Sequence, residues 1–353
     1  MIRSEDAAPA PPPASLRLRL DFEALNGNWR ALDRLSGTAE AAVAVKADAY
    51  GLCVNRVVPA LLEAGARSFF VAHWSEVAPV LAFAQPASIA VLHGPRDEAE
   101  AAYARATGAV PVINSLRQAA FWHAGGGGRC HLMIDSGINR LGIAPREIGD
   151  PAIAALDIDL LLSHLASADE DSALNARQLA AFREVAGQLR ARRLSLANSA
   201  GIMLGPDYHF DMTRPGVAVY GGIPVPALAG HIAQVAYPEA AVLQVRDLRP
   251  GDSVGYNARW TAEVPTRTAT VSIGYADGFL RARGDGGALG WREAMLPIIG
   301  RVSMDMVIVD CGEYPVAEGD FLSVPFDLPR LAAQSGLSQY EMLTTIGHRF
   351  QPA

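Results

Sequence analysis

Lys46 stands where the periodicity of the sequence changes, at a position suited to amine chemistry. Residues 41–45 before it form a short apolar run typical of a parallel strand buried on both faces, and after it apolar residues recur at helical spacing from Val54 to Gly65. Lys46 is therefore predicted at the carboxyl end of a strand, where barrels and open α/β sheets place their chemistry. Partial burial there favours the free amine that a Schiff base to an aldehyde cofactor requires. A lysine that only extends its amine to solvent fits this stretch equally well.

The overall composition narrows the class of protein. The chain has 353 residues, of which 50% are hydrophobic and 19% charged, so we expect two domains or one large barrel with an addition. A net charge of -7 with no basic run argues against nucleic-acid binding. The three cysteines are scattered without a CxxC pair, which predicts neither a disulfide framework nor a metal site. No apolar run approaches membrane-spanning length, so the expected protein is soluble and cytoplasmic.

Eight apolar, strand-like runs alternate with helical patterns through the first two thirds of the chain. They lie near residues 42–46, 67–72, 88–93, 109–113, 130–135, 159–164, 194–199 and 210–219. Eight strands, each followed by helical sequence, predict an α/β fold of the TIM-like (β/α)8 barrel type. Polar residues stand where several of these strands end, namely Lys46, Asp135 with Arg140, His164, Asn198, Ser199 and Arg214. The barrel rule makes these positions candidates for an active site.

After about Leu228 the pattern becomes that of a β-rich domain. Residues 268–273 alternate polar and apolar, which is typical of a half-buried antiparallel strand, and one helical segment follows late, around Leu328–Ile346. We predict a disordered tail over 1–15, a barrel over 16–228 and a β-rich C-terminal domain over 229–353. The strand Leu16–Leu20 is a candidate to pair with the second domain, and Asp21 is predicted to cap a helix that runs to Leu35.

Eight stretches in order resemble the bacterial alanine racemases, a pyridoxal-phosphate family. They are residues 45–51 (VKADAYG), 135–142 (DSGINRLG), 163–169 (SHLASAD), 197–200 (ANSA), 212–217 (MTRPGV), 254–257 (VGYN), 273–278 (IGYADG) and 300–306 (GRVSMDM). The resemblance implies a barrel that binds pyridoxal 5'-phosphate, followed by a β-rich domain. It also implies interconversion of L- and D-alanine that supplies D-alanine for cell-wall peptidoglycan. The alternatives are a racemase of serine or of broader amino-acid range, and a decarboxylase of the same barrel class.

The resemblance also implies roles for individual residues. Lys46 would bind the cofactor covalently and act as the base on one face of the substrate, and Tyr256 would act on the other face, since racemisation needs proton transfer on both. The residues implied to bind the cofactor are Lys46, Tyr50, Arg140, His164, Asn198, Ser199, Arg214, Gly216 and Val217. Those implied to contact the substrate are Arg140, Tyr275, Met304 and Asp305. The family arrangement implies a homodimer with shared active sites.

Arg214 matches the residue that faces the cofactor's pyridine nitrogen. Its guanidinium has a pKa above about 12 and does not yield its proton, so the ring nitrogen would stay unprotonated and the cofactor would be a weaker electron sink. That weaker delocalisation disfavours protonation at the wrong carbon, and hence transamination. His164 matches a residue that links this arginine to the catalytic tyrosine.

Two departures from the family pattern affect the expected site. Many relatives carry a carbamate-modified lysine seven residues before the arginine matched by Arg140, and here that position is Met133. Arg140 is therefore expected to lack this anionic partner. The chain also ends at Ala353, just short of an aromatic residue that the family often places near the phosphate, which puts the affinity for the cofactor in question.

Overall fold

A computed structural model describes residues 12–352, and it divides the chain into two compact units. The barrel unit comprises Leu20–Ala236 and Asp327–Thr344, and the β-rich unit comprises the remaining segments. Most of the predicted tail, residues 1–11, lies outside the described residues. Ser15, at the end of that tail, is held in place: its carbonyl accepts a hydrogen bond from the Ala241 amide at 2.8 Å.

The barrel is a closed ring of parallel strands. After β1 (Leu16–Leu20), its segments are β2 (Glu40–Ala41), β3 (Val43–Ala44), β4 (Phe69–Val71), β5 (Ile89–Val91), β6 (Val110–Ile113), β7 (Arg129–Met133), β8 (Asp157–Leu162), β9 (Arg193–Ser195) and β10 (Met212–Thr213). The nine segments follow the order β2-β10-β9-β8-β7-β6-β5-β4-β3. β2 and β3 are halves of one strand interrupted at Ala42, so the ring has eight strands. The predicted barrel is confirmed.

Helices cover the outside of this ring. They are α1 (Phe22–Leu35), α2 (Val54–Ala64), α3 (Val77–Leu81), α4 (Glu98–Thr107), α5 (Leu116–Ala124), α6 (Pro151–Ala154), α7 (Ala173–Ala186), α8 (Leu328–Ser335) and α9 (Gln339–Thr344). Asp21 caps α1 as predicted, because its carboxylate accepts a hydrogen bond from the Ala24 amide at 2.9 Å. None of the helices in the described part of the chain is long and apolar enough to cross a membrane.

The β-rich unit is built on a mainly antiparallel sheet. The strands of the unit are β11 (Ala236–Leu248), β12 (Ser253–Val254), β13 (Trp260–Thr261), β14 (Thr266–Val271), β15 (Ala288–Trp291), β16 (Ala294–Ile299), β17 (Val307–Asp310), β18 (Phe321–Ser323) and β19 (Gln351–Pro352). β12 and β13 pair with each other in a separate two-stranded sheet. β1 joins the mainly antiparallel sheet between β11 and β19. The alternating apolar residues of β14 and β17 face a buried core with Leu289 and Leu296.

The boundaries between the units differ from the prediction in two places. The barrel unit ends at Ala236 rather than at Leu228, and the helical segment predicted over Leu328–Ile346 belongs to it. The side-chain amide of Gln339 explains this placement: its oxygen accepts from the Ile223 amide at 2.7 Å, and its nitrogen donates to the Ile223 carbonyl at 2.9 Å. Such a contact, 116 residues apart in the chain, leaves no trace in local sequence pattern.

Candidate active site

The carboxyl ends of the barrel strands surround a cavity of about 630 Å³. All nine residues expected to bind a cofactor line it: Lys46, Tyr50, Arg140, His164, Asn198, Ser199, Arg214, Gly216 and Val217. Apolar residues from the barrel interior, Phe70 and Met133 among them, form its floor. One cavity therefore collects these nine residues from five separate loops that follow barrel strands.

The backbone directly after Lys46 adopts an unusual left-handed turn. Ala47, Asp48, Ala49 and Tyr50 have φ angles of 54°, 52°, 54° and 56°. For residues with a Cβ this conformation costs about 1–2 kcal/mol each, so the surrounding structure must hold it in place. Asp48 contributes to this, because its carboxylate accepts a hydrogen bond from the Val54 amide at 2.7 Å. Nothing in the residue types of this stretch predicts such a turn.

Glu76 secures the same turn from a neighbouring loop, and the sequence reasoning did not identify it. One carboxylate oxygen accepts from the Ala47 amide at 2.6 Å. The other accepts from the amides of Ala72 and His73 at 2.7 and 3.0 Å. The only sequence feature that could have pointed to Glu76 is its position shortly after a buried strand. Glutamates at such positions are too common for this feature to predict a role.

The cations of the cavity are strongly affected by burial and by one another. Burial and the nearby Arg140 charge lower the pKa of Lys46, and Glu76 opposes this effect. Burial, followed by the charges of Arg214, Arg140 and Lys46, lowers the pKa of His164 to about 3, so its imidazole is neutral at physiological pH. Burial lowers the pKa of Arg214 to about 10, which still leaves the guanidinium charged. It donates hydrogen bonds to the Ser163 carbonyl and to the Ser195 hydroxyl.

One end of the cavity is a cluster of hydrogen-bond donors around Gly216. The Ser199 hydroxyl accepts from the Gly216 amide at 2.9 Å, and within the described residues the buried Val217 amide has no acceptor. A Cβ at position 216 would lie 2.3 Å from the Tyr50 hydroxyl, so the close approach of this side chain requires glycine. A loop of backbone amides and hydroxyls after the last barrel strands is a common binding site for phosphate.

Tyr340 corrects the expectation drawn from the end of the chain. It belongs to α9, lines the cavity, and places its ring centroid 6.4 Å from that of Tyr50. An aromatic residue therefore does reach this end of the cavity, and the expected lack of one was wrong. The sequence pattern assigned α9 to the C-terminal domain. In the structure, α9 belongs to the barrel unit.

The remaining predicted residues, Tyr256, Tyr275, Met304 and Asp305, belong to the β-rich unit and do not line this cavity. Within that unit, Tyr275 and Met304 lie on adjacent turns, because the amides of Tyr275 and Ala276 donate to the carbonyls of Ser303 and Met304. Tyr256 and Met304 are exposed, with 66% and 53% of their surfaces accessible. Asp305 pairs with Arg349 at 2.8 Å.

Met133 lines the cavity floor as a buried apolar side chain. Arg140 lines the same cavity and forms no ion pair with any residue between 12 and 352. The carbamate partner expected in many relatives is therefore not replaced by a carboxylate of the described chain.

The chain matches known proteins over nearly its whole length. Family models described as alanine racemase N-terminal domain and C-terminal domain match residues 20–224 and 235–353. An alanine racemase of Methylobacterium nodulans is 41% identical over 95% of this chain and 94% of its own length. A biosynthetic alanine racemase of Agrobacterium fabrum is 40% identical over 96% of this chain and 93% of its own.

Solved structures lead to the same family. The crystal structure of alanine racemase from Bartonella henselae, with covalently bound pyridoxal phosphate, superposes with a TM-score of 0.88 at 33% identity. The match covers 97% of this chain and 99% of that one. The barrel with its cavity, the β-rich unit and these full-length matches agree, and the chain belongs to the alanine racemase family.

Proposed function

We propose that this protein is a pyridoxal-phosphate-dependent alanine racemase that interconverts L- and D-alanine and so supplies D-alanine for peptidoglycan. The observation that carries the proposal is the convergence of nine residues on one cavity of a barrel in a member of that family. The amino acid is the substrate, and the cavity supplies the groups that bind and deprotonate it. We further propose that the protein works in the cytoplasm.

The donor set of the cavity fits pyridoxal phosphate. Lys46 provides a partly buried amine with a lowered pKa, as a covalent link to an aldehyde requires. The Tyr50 and Ser199 hydroxyls and the amides of Gly216 and Val217 would hold the phosphate, with Tyr340 beside Tyr50. Arg214 would meet the pyridine nitrogen, and Arg140 and Asn198 would contact the rest of the ring. Bound there, the cofactor would supply electron withdrawal that acidifies the α-hydrogen of the amino acid.

The chain's own residues would carry the proton transfers. Lys46 would remove or return the α-proton on one face, because its lowered pKa makes the free amine available as a base. Tyr256 would serve the opposite face. Arg214 keeps its proton at neutral pH and His164 stays neutral, so neither would protonate the ring.

We further propose that the active enzyme is a homodimer with shared sites. In this arrangement Tyr256, Tyr275, Met304 and Asp305 of one subunit would complete the cavity that contains Lys46 of the other. Arg140 from the barrel and the turns of Tyr275 and Met304 would meet the substrate carboxylate. An isologous interface would then give two equivalent composite sites.

A direct assay tests the activity. The purified protein, loaded with pyridoxal phosphate, is incubated with L-alanine and the appearance of D-alanine is followed. The same measurement with serine, lysine and arginine defines the substrate range, and release of carbon dioxide tests for decarboxylation. Formation of D-alanine faster than any other product supports the proposal, whereas turnover without racemisation of alanine contradicts it.

A further inference from the structure

The carboxylate of Glu76 connects two loops that follow neighbouring strands of the barrel. It accepts from the Ala47 amide at 2.6 Å on the loop after β3, and from the Ala72 and His73 amides at 2.7 and 3.0 Å after β4. Both oxygens are therefore used, and each holds a different loop. A carboxylate that accepts several backbone N–H groups forms stronger hydrogen bonds than a neutral acceptor would.

The loop held through Ala47 is the left-handed turn that begins directly after Lys46. Four consecutive residues with a Cβ, 47–50, have φ angles between 52° and 56°. Ala47 is the first of them, so its amide is the point at which Glu76 can fix the direction in which the chain leaves Lys46. The turn also ends at Tyr50, whose hydroxyl lies beside Gly216. Glu76 thus acts on the segment that carries two residues of the cavity.

Glu76 also places a negative charge close enough to Lys46 to act on its amine. The titratable and charged groups that face Lys46 are Arg140, Glu76, His93 and His164. Of these, Glu76 is the carboxylate, and it raises the pKa of Lys46 while burial and Arg140 lower it. The same carboxylate therefore influences both the geometry and the protonation of the amine.

We propose that Glu76 is a positioning residue for Lys46, which holds the left-handed turn in place and supplies the negative charge beside the amine. This proposal rests on the proposed function, since it concerns the residue expected to bind the cofactor. The competing role is purely local: Glu76 would stabilise its own loop through Ala72 and His73 and leave Lys46 unaffected.

Two substitutions separate the effect of the negative charge of Glu76 from the effect of its side-chain length. Glu76→Gln removes the charge and turns an amide nitrogen, which cannot accept, towards either the Ala47 N–H or the N–H groups of Ala72 and His73. Glu76→Asp keeps the charge but is one methylene shorter and cannot span both loops. Glu100→Gln is the matched control, because Glu100 accepts from the Arg96 amide at 2.8 Å on a surface helix outside the cavity.

The measurements use the full-length protein without cofactor, and then with pyridoxal phosphate added. The rate of amine labelling at Lys46 against pH gives its pKa, and hydrogen exchange of the peptide covering 46–51 reports the turn. We expect Glu76→Gln to lower the pKa of Lys46, speed exchange of this peptide and raise the Kd for pyridoxal phosphate about tenfold, the effect of losing one charge-assisted hydrogen bond. Glu76→Asp should speed exchange but leave the pKa of Lys46 near that of the unaltered protein. Glu100→Gln should change none of the three.

The outcomes distinguish this inference from the proposed function. If both Glu76 variants lose thermal stability but retain the pKa of Lys46, the exchange of 46–51 and the Kd for the cofactor, the role is local and the inference is overturned. If the unaltered protein binds no pyridoxal phosphate, the proposed function fails, while labelling and exchange still test the link between Glu76 and Lys46. If Glu76→Gln folds poorly, hydrogen exchange of the peptide 46–51 in Glu76→Asp tests the inference. Faster exchange supports it, and unchanged exchange overturns it.

Discussion

At the amino ends of the barrel strands the charged side chains around Asp159 are paired, whereas the cations that line the cavity at the carboxyl ends are not. Asp159 accepts from the guanidinium groups of Arg129 and Arg193 at 2.7 Å each, and Arg193 also pairs with Glu40 at 3.1 Å. At the opposite end, Lys46, Arg140 and Arg214 form no ion pair with any residue of the described chain. The two ends belong to the same strands.

The difference indicates how each end contributes. In a close ion pair each charge compensates the other. Substitution of one partner therefore destabilises the fold, because the remaining charge is left without compensation. Unpaired cations around a cavity instead favour an anionic ligand, and pyridoxal phosphate with an amino acid would bring a phosphate and a carboxylate. We therefore expect substitutions at the amino end to affect stability, and those at the carboxyl end to affect ligand binding and turnover.

The largest effect is expected at Lys46. Lys46→Ala should lower racemisation of alanine by at least about a thousandfold, since it removes both a base and the covalent link to the cofactor. Borohydride reduction of the loaded protein followed by peptide mass analysis should find the pyridoxyl group on Lys46. Lys46→Arg is the control that keeps the charge and should be equally inactive. A pyridoxyl group on a peptide without Lys46 would refute the assignment of this cavity.

Mixing of two inactive variants tests whether the cavity at the carboxyl ends of the barrel strands is completed by residues of a second subunit. Homodimers of Lys46→Ala and of Tyr256→Phe should each be severely impaired. Random reassembly makes about half of the dimers mixed, and each mixed dimer has one unaltered site and one doubly altered site, so roughly a quarter of the original activity should return. If Lys46 and Tyr256 of one site came from the same chain, mixing would restore nothing and the shared-site proposal would be abandoned.

At the amino end, Asp159→Asn should reduce stability rather than catalysis. The change removes the negative charge that compensates two guanidinium groups and leaves them a neutral amide oxygen as acceptor, and we expect a loss of about 2 kcal/mol in the free energy of unfolding. Urea denaturation measures this loss, and kcat per folded protein should stay unchanged. A fall in kcat without a loss of stability would contradict the separation of the two ends.

The pH dependence of stability provides a finer test of the same end. His131 is buried, its Nδ1 makes no hydrogen bond within the described residues, and burial lowers its pKa below the ordinary 6.5. As the pH falls below 6.5, the unfolded chain binds a proton at this residue while the folded chain does not, so stability is lost towards acid. His131→Gln should reduce that slope by about 1.4 kcal/mol per pH unit between roughly pH 4 and 6. Above pH 7 the curves of the two proteins should run parallel, and an unchanged acid slope would show that His131 is protonated in the fold.

The sequence pattern was sufficient to predict those parts of the fold that depend on the periodicity of apolar residues. Lys46 and His164 follow strands whose predicted ends, at 46 and 164, lie within two residues of the observed ones. The run predicted over 210–219 extends six residues beyond the strand Met212–Thr213, so Arg214 follows that strand rather than lying within it. The capping carboxylate of Asp21 was predicted for the same reason, since helix caps are local. The roles of individual residues came from the family resemblance and remain proposals.

Contacts between distant segments could not be predicted in this way. Glu76 and Ala47 are 29 residues apart in the chain. Tyr340 in α9 lines the cavity although most of the β-rich unit lies between it and the other lining residues in the sequence. The left-handed turn over 47–50 runs against the preferences of its residues and is held by such contacts. The same reason explains why residues 327–344 pack with the barrel unit, because the pairing of Gln339 with Ile223 is set by tertiary packing alone.

The smallest effect is expected at Met133, where the cavity lacks the modified lysine of many relatives. In Met133→Lys, burial and the charges of Lys46 and Arg140 should lower the pKa of the new amine and favour its free form. A free amine reacts with carbon dioxide to give a carbamate and a proton, and the carbamate would provide the anion that Arg140 lacks. We expect the KM for alanine to fall several-fold in bicarbonate relative to carbon-dioxide-free buffer for this variant. The unaltered protein and the control Met133→Leu should not respond, and a bicarbonate response in the unaltered protein would mean that another group already forms the anion beside Arg140.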